Sequence, residues 1–175
     1  DDDIDGVSSY SYTDVYNACR DIFTWQYYMY QSLKDANVTD ATYENYYEKI
    51  MVCNVIIDDI EMSVGTESQI NMVLGEALTL RAYYYLQLVN IFATPYNDSR
   101  STPDQRLGVS LVTKSEIRDE GIARSSVADV YKQITADIER AVSLLDQNKT
   151  NNGVYRINYV SAHLIASRIY LYMEE

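Results

Sequence analysis

Residues 95–100 (Pro-Tyr-Asn-Asp-Ser-Arg) carry the side chains of this sequence that are best suited to bind a small ligand. The ring of Tyr96 can cover the apolar C–H face of a sugar, and Asn97, Asp98 and Arg100 can form hydrogen bonds with its hydroxyl groups. An ordinary turn with an exposed tyrosine has the same composition. The segment is therefore a candidate carbohydrate site, and the residues alone do not decide between such a site and an ordinary turn.

Candidates for catalysis are few. His163 is the only histidine, and no nucleophile motif accompanies it. Asp58, Asp59 and Glu61 lie among isoleucines, as the solvated side of an amphipathic helix does, whereas a glycosidase needs two opposed carboxylates in a cleft. We therefore predict that the protein is not an enzyme and uses no cofactor.

The acidic N-terminus imitates part of a calcium-binding loop. Asp1, Asp3 and Asp5 have the spacing of the first half of an EF-hand, but Tyr12 stands where that loop requires a bidentate glutamate. The sequence therefore predicts a flexible, solvated tail over residues 1–11 and no metal site.

Three further residues are predicted to be buried. Cys19 and Cys53 both lie on apolar-periodic helices, with no CxxC motif and no neighbouring histidine, so we expect two small buried thiols. Trp25, the only tryptophan, falls on the apolar stripe of the first predicted helix, and we expect it in the core.

The charge of the chain restricts its partners. Its 175 residues include 14 lysines and arginines and 26 aspartates and glutamates, giving a net charge of −12. Such a surface repels nucleic-acid phosphates and anionic lipid head groups, so we expect neither as a partner. Neutral ligands such as sugars remain compatible with this charge.

Apolar periodicity predicts five helices, at about residues 14–33, 41–63, 67–92, 126–145 and from 158 onward. Thr66 and Gln69 predict a capping box at the start of the third helix. Residues 93–123 form a connection far longer than the usual ~4–6 residues, so we expect a binding loop or a segment that wraps over the surface.

Two apolar stripes run along the predicted third helix. The first comprises Ala77, Leu80, Tyr84, Leu88 and Ile91. The second comprises Leu78, Ala82, Tyr85, Val89 and Phe92. A surface helix needs one stripe, so a helix with two must pack on both sides. This pattern predicts a single all-α domain of antiparallel helix pairs, similar to tetratricopeptide repeats.

The last predicted helix is also apolar on two sides, and no partner helix follows it in the sequence. Soluble proteins normally cover such a surface. We therefore expect this chain to be the N-terminal part of a longer protein.

Five stretches, taken in order, resemble the SusD/RagB family of outer-membrane lipoproteins. They are residues 46–50 with Asn54, 75–92, 95–97 with 107–109, 124–131 with Ile134, Asp137, Ile138 and Ala141, and 156–173. The stretch 75–92 (Gly-Glu-Ala, then Leu-Arg-Ala-Tyr-Tyr-Tyr) resembles the family's signature helix. One departure is Phe92-Ala93, where the family commonly has Phe-Gly.

The resemblance implies a non-catalytic component that binds glycans or other nutrients at the extracellular face of the outer membrane. It implies delivery to a TonB-dependent, SusC-type porin, with membrane attachment only through a lipid anchor that is absent from this chain. Tyr96 and Asn97 fall in the connector where family members place an aromatic ring and an amide on the ligand, so these two are the implied ligand-binding residues. The alternative is a helical-repeat scaffold that binds protein and no small ligand.

Overall fold

The structure, a computed structural model, describes residues 20–35, 41–116, 121–149 and 155–174. The chain divides into two compact units, Asp1–Glu44 and Asn45–Glu175, which we describe separately. The predicted tail at residues 1–11 and Cys19 lie outside the described residues. The described residues contain helices and no β-strand beyond one isolated bridge between Leu107 and Ser126.

In the first unit, the predicted first helix is interrupted. Residues 20–23 are helical, the chain turns over residues 24–28, and helix α1 spans Met29–Asp35. Trp25 has a φ of 52°, and a right-handed helix cannot continue through a left-handed residue. The turn therefore breaks the register of the apolar stripe. The prediction that Trp25 belongs to the core is wrong, because its side chain is 84% exposed.

The four later helices lie close to their predicted positions. They are α2 (Thr42–Asp59), α3 (Glu67–Phe92), α4 (Val127–Gln147) and α5 (Tyr159–Met173). A 3₁₀ turn, Ile60–Met62, extends α2. The capping box is confirmed, since the Gln69 amide donates to Thr66 Oγ1 and the Thr66 amide donates to Gln69 Oε1. The all-α prediction is confirmed as well.

The core of the second unit lies where α3 packs along α4. Ala162 and Ile169 of α5 complete it. The second predicted stripe of α3 is buried except for the half-buried Phe92. The first stripe is covered only in part, because Leu80 and Tyr84 are half-buried and Ile91 is 41% exposed. The second stripe of α3 is therefore more completely packed than the first.

The chain between α3 and α4 wraps over the surface of the second unit. Val109 is buried in the core, and the backbone that follows it is bonded by polar side chains of α2 and α3. Tyr47 Oη donates to the Ser110 carbonyl at 2.7 Å, and Asn54 Nδ2 donates to the Val112 carbonyl at 2.8 Å. The Val112 amide donates to Tyr85 Oη at 2.7 Å. These bonds satisfy backbone groups that lack a strand partner, so the connector keeps a defined path.

Asp58 holds the end of this wrapped segment. Its carboxylate accepts hydrogen bonds from the Ser115 amide at 2.9 Å and from Lys114 Nζ at 3.0 Å. The hydrogen bonds from the Ser115 amide and from Lys114 lower the pKa of Asp58 to about 2. The acidic residue that could have suggested catalysis therefore has a structural partner.

We expect the hold of Asp58 on the connector to be lost only in strong acid. Its folded pKa lies below the unfolded value near 4, so its stabilising contribution is complete above that pH and disappears as the pH falls through about 2. An NMR titration of the Ser115 amide signal should show this midpoint. The transition should vanish in Asp58→Asn and persist in the neighbouring Asp59→Asn; a midpoint near 4 would contradict the assignment.

Candidate functional site

Tyr96 and Asn97 lie in a tight turn just after α3. The helix ends at Phe92, and Ala93 has extended backbone (φ −131°, ψ 173°), a conformation that does not require glycine. Alanine therefore fits at the position where the family commonly has glycine. The Asp98 amide then donates to the Pro95 carbonyl at 3.2 Å, which closes the turn around Tyr96 and Asn97.

The ring of Tyr96 is half-buried and packs against Tyr131 near the start of α4. The two ring centroids are 4.8 Å apart, with a tilt of 55° between the planes. Tyr131 is itself buried, and its hydroxyl donates to Asn90 Oδ1 at 3.2 Å. Burial, with smaller contributions from Tyr172 and Tyr96, raises the pKa of Tyr131 to about 12. The Tyr96 ring thus rests on a neutral, fixed support and keeps part of its surface open to solvent.

Asn97 is exposed and reaches toward the end of α5. Its Nδ2 donates to the Tyr172 carbonyl at 3.3 Å. Tyr172 is 43% exposed, so it is a second partly exposed tyrosine in contact with this turn. Sequence reasoning missed Tyr172 because 75 residues separate it from Asn97 and no local pattern connects the two.

The two charged residues of the turn are paired with each other. Arg100 Nε donates to Asp98 Oδ1 at 2.9 Å, and the Arg100 amide donates to the same oxygen at 3.0 Å. The side-chain bond is the main reason that the pKa of Asp98 lies well below its ordinary range. The uncharged pair Tyr96 and Asn97 therefore remains the better candidate for contact with a neutral sugar.

A buried polar network joins α2, α3 and α4. Arg81 forms a bidentate ion pair with Asp137, with Nε–Oδ2 and Nη2–Oδ1 distances of 2.7 Å. Arg81 Nη1 also donates to Asn54 Oδ1 at 2.9 Å and to the Thr113 carbonyl at 3.3 Å. Cys53 lies nearby and is buried, as predicted. Burial raises the pKa of its thiol to about 11. The hydrogen bonds of Arg81 all go to other protein groups, so this network is structural.

The remaining chemical candidates are engaged at the surface. His163 is exposed, and its Nε2 lies 2.9 Å from Asp146 Oδ2. Within the described ranges, no group of histidines, cysteines and carboxylates has the arrangement of a metal site. No helix in those ranges combines the length and apolar character needed to cross a bilayer.

Comparison with known proteins supports the resemblance. The SusD-like family model, described as starch-binding and associating with the outer membrane, matches residues 6–171. No curated protein matches the sequence.

Solved structures give the same result. A SusD-like carbohydrate binding protein from Bacteroides vulgatus ATCC 8482 is 30% identical, with a TM-score of 0.69 over 76% of this chain and 28% of its own. A SusD superfamily protein from Bacteroides thetaiotaomicron VPI-5482 is 32% identical, with a TM-score of 0.65 over 75% of this chain and 28% of its own. A laminarin binding SusD-like protein is 25% identical, with a TM-score of 0.60 over 76% of this chain and 26% of its own.

This chain thus spans less than a third of the length of these structures. Their similarity confirms the predicted tetratricopeptide-like helical class. Because the family model matches nearly the whole sequence, this chain belongs to the SusD-like family.

Proposed function

We propose that this chain is the helical N-terminal part of a non-catalytic protein that binds glycans or other nutrients at the extracellular face of the outer membrane. The native protein is lipid-anchored there and passes its ligand to a SusC-type, TonB-dependent porin. The observation that carries this proposal is the match of residues 6–171 to a family described as starch-binding and associating with the outer membrane.

Within this chain, Tyr96 and Asn97 are the proposed ligand contacts. The Tyr96 ring is held by Tyr131 and is partly open to solvent, so it can stack on the C–H face of a sugar without first being ordered. The exposed amide of Asn97 comes from the same turn and can bond a hydroxyl group. A net charge of −12 favours a neutral ligand at this surface.

Removal of either contact should weaken glycan binding. An aromatic contact contributes ~0.5–1.5 kcal/mol, so we expect Tyr96→Ala to raise the Kd for a bound glycan about 3- to 10-fold, and Asn97→Ala by a similar factor. Calorimetric titration with amylopectin and with laminarin measures the effect. Tyr96→Phe keeps the ring that packs on Tyr131, so it should bind nearly as well as the wild type.

Tyr155→Ala is the matched control, because Tyr155 is 99% exposed and precedes the start of α5, whereas Asn97 contacts Tyr172 at the end of that helix. It should leave binding unchanged. Circular dichroism must show intact helices in every variant. Wild-type affinity in both Tyr96→Ala and Asn97→Ala would exclude this turn as the ligand site.

The alternative function is a protein-binding scaffold without a small ligand, and a groove between α2 and α3 is the surface such a partner would use. The groove has a volume of about 220 Å³, and its lining is mainly apolar. Among the described residues, Glu76 Oε1 is the one buried side-chain oxygen without a hydrogen-bond partner, and Glu76 lines this groove. A protein with no affinity for any glycan that still forms a stable complex with a SusC-type porin would favour this alternative.

A further inference from the structure

Arg106 binds the backbone of the turn that carries Tyr96 and Asn97. Its Nη2 donates to the Tyr96 carbonyl at 2.6 Å, and its Nη1 donates to the Pro95 carbonyl. Nη1 also donates to Thr94 Oγ1 at 3.0 Å, and Nε donates to the Thr102 carbonyl at 3.3 Å. One side chain therefore engages acceptors on three consecutive residues of the turn.

We propose that Arg106 is a positioning residue, which fixes residues 94–96 through the Thr94 hydroxyl and the Pro95 and Tyr96 carbonyls and thereby holds Tyr96 and Asn97 ready for the ligand. This inference rests on the proposed function of that turn. It concerns a residue that does not itself contact the ligand.

The chemistry of the guanidinium group suits this role. Its donors lie in one rigid plane, so acceptors bonded to different nitrogens are held at a fixed spacing. The Pro95 carbonyl bonded by Arg106 also accepts the Asp98 amide that closes the turn. Loss of Arg106 therefore loosens the residues that precede Asn97, and ligand binding must then order the turn at a cost in free energy.

The effect should be local. The bonds from Arg106 lie in exposed or partly buried positions, so water can solvate the released carbonyls when the arginine is removed. The apolar core between α3 and α4 is unaffected. We therefore expect a change in turn order and ligand affinity with little change in the thermal unfolding midpoint.

Arg124 offers a matched control. It also donates to three backbone carbonyls, those of Gly108 at 2.6 Å and of Leu107 and Phe92 at 3.1 Å. None of these carbonyls belongs to residues 94–97. Arg124→Met removes a comparable set of bonds from the same connector and leaves the turn's own contacts in place.

The test compares Arg106→Met, Arg106→Lys and Arg124→Met in the same protein. We expect Arg106→Met to speed hydrogen exchange at the Asp98 amide and to raise the Kd for amylopectin or laminarin about 3- to 10-fold, because ordering one side chain and its loop costs ~0.5–1.5 kcal/mol. Arg106→Lys should give intermediate values, since an ammonium group cannot reproduce the planar fork. Arg124→Met should match the wild type in both measurements.

Two results would overturn the proposal: wild-type affinity in Arg106→Met although exchange at Asp98 is faster, or an equal loss of affinity in Arg124→Met. A wild-type protein that binds neither glycan would contradict the proposed function instead. The exchange rates at Asp98 would then decide by themselves whether Arg106 orders the turn.

Discussion

Replacing Arg81 with alanine should lower the free energy of unfolding by about 3–5 kcal/mol, a large loss for a single substitution. The Arg81 and Asp137 side chains are only 6% and 4% exposed. Alanine would leave the Asp137 carboxylate in the core without its bidentate partner, and the amide oxygen of Asn54 would lose its bond from Arg81. A buried charge without a partner carries a large desolvation penalty. Urea unfolding followed by circular dichroism measures the loss.

The penalty should arise from the orphaned charge rather than from lost attraction alone. The double variant Arg81→Met/Asp137→Leu, which removes both charges and keeps similar volumes, should therefore be clearly more stable than Arg81→Ala. Arg100→Ala breaks the ion pair with Asp98 at a position where the arginine is 79% exposed, and it should change stability less than Arg81→Ala. A loss below about 1 kcal/mol in Arg81→Ala would contradict the expected penalty of a buried charge without a partner.

The helix boundaries could be predicted wherever the signal is local. Thr66 and Gln69 are three residues apart, so their capping box is visible in the sequence and places the start of α3 correctly. A single left-handed residue has no such signature. The apolar stripe around Trp25 remained periodic in the sequence although the helix is interrupted there, which is why the prediction of a buried tryptophan failed.

The polar interior could not be predicted because its partners are distant in the chain. Arg81 and Asp137 are 56 residues apart, and in the sequence each was only part of a family-like stretch. Asn54 stands at helical spacing between Ile50 and Ile57, and a polar residue at such an apolar position is the one available signal of a buried network. The composition of the turn suggested Tyr96 and Asn97, but their supports Tyr131 and Arg106 were visible only in the structure.

The connector between α3 and α4 has two parts, which are held by different polar contacts. Residues 110–115 are bonded by side chains of α2 and α3, among them Asn54 and Asp58. The turn after α3 is bonded by Arg106, a residue of the connector itself. The first part therefore depends on the helical core, whereas the second can be loosened by one substitution without disturbing that core. This separation allows ligand affinity and global stability to be tested independently.

Gly75→Val should lower the free energy of unfolding by about 3 kcal/mol, because α3 and α4 approach each other closely at this glycine. A Cβ atom at Gly75 would lie 3.0 Å from Leu145 Cδ2 and 2.7 Å from its Cγ, and the second distance is shorter than real Cβ contacts allow. Leu145 is buried and cannot move into solvent. Gly75→Ala should cost less, since its gain of ~1 kcal/mol in helix propensity offsets part of the clash.

Leu145 provides the decisive test of this contact. Leu145→Ala alone should cost ~2–5 kcal/mol through the cavity it leaves, and that cost should shrink when Gly75→Val fills part of the space. Gly65→Ala is the control, because its Cβ would meet no atom closer than 3.5 Å, and its stability should stay near that of the wild type. Strictly additive losses at positions 75 and 145 in urea unfolding would contradict a direct contact. If the double variant loses less stability than the sum of the two single losses, the contact explains why the signature helix has glycine at position 75. Alanine is otherwise the better helix former.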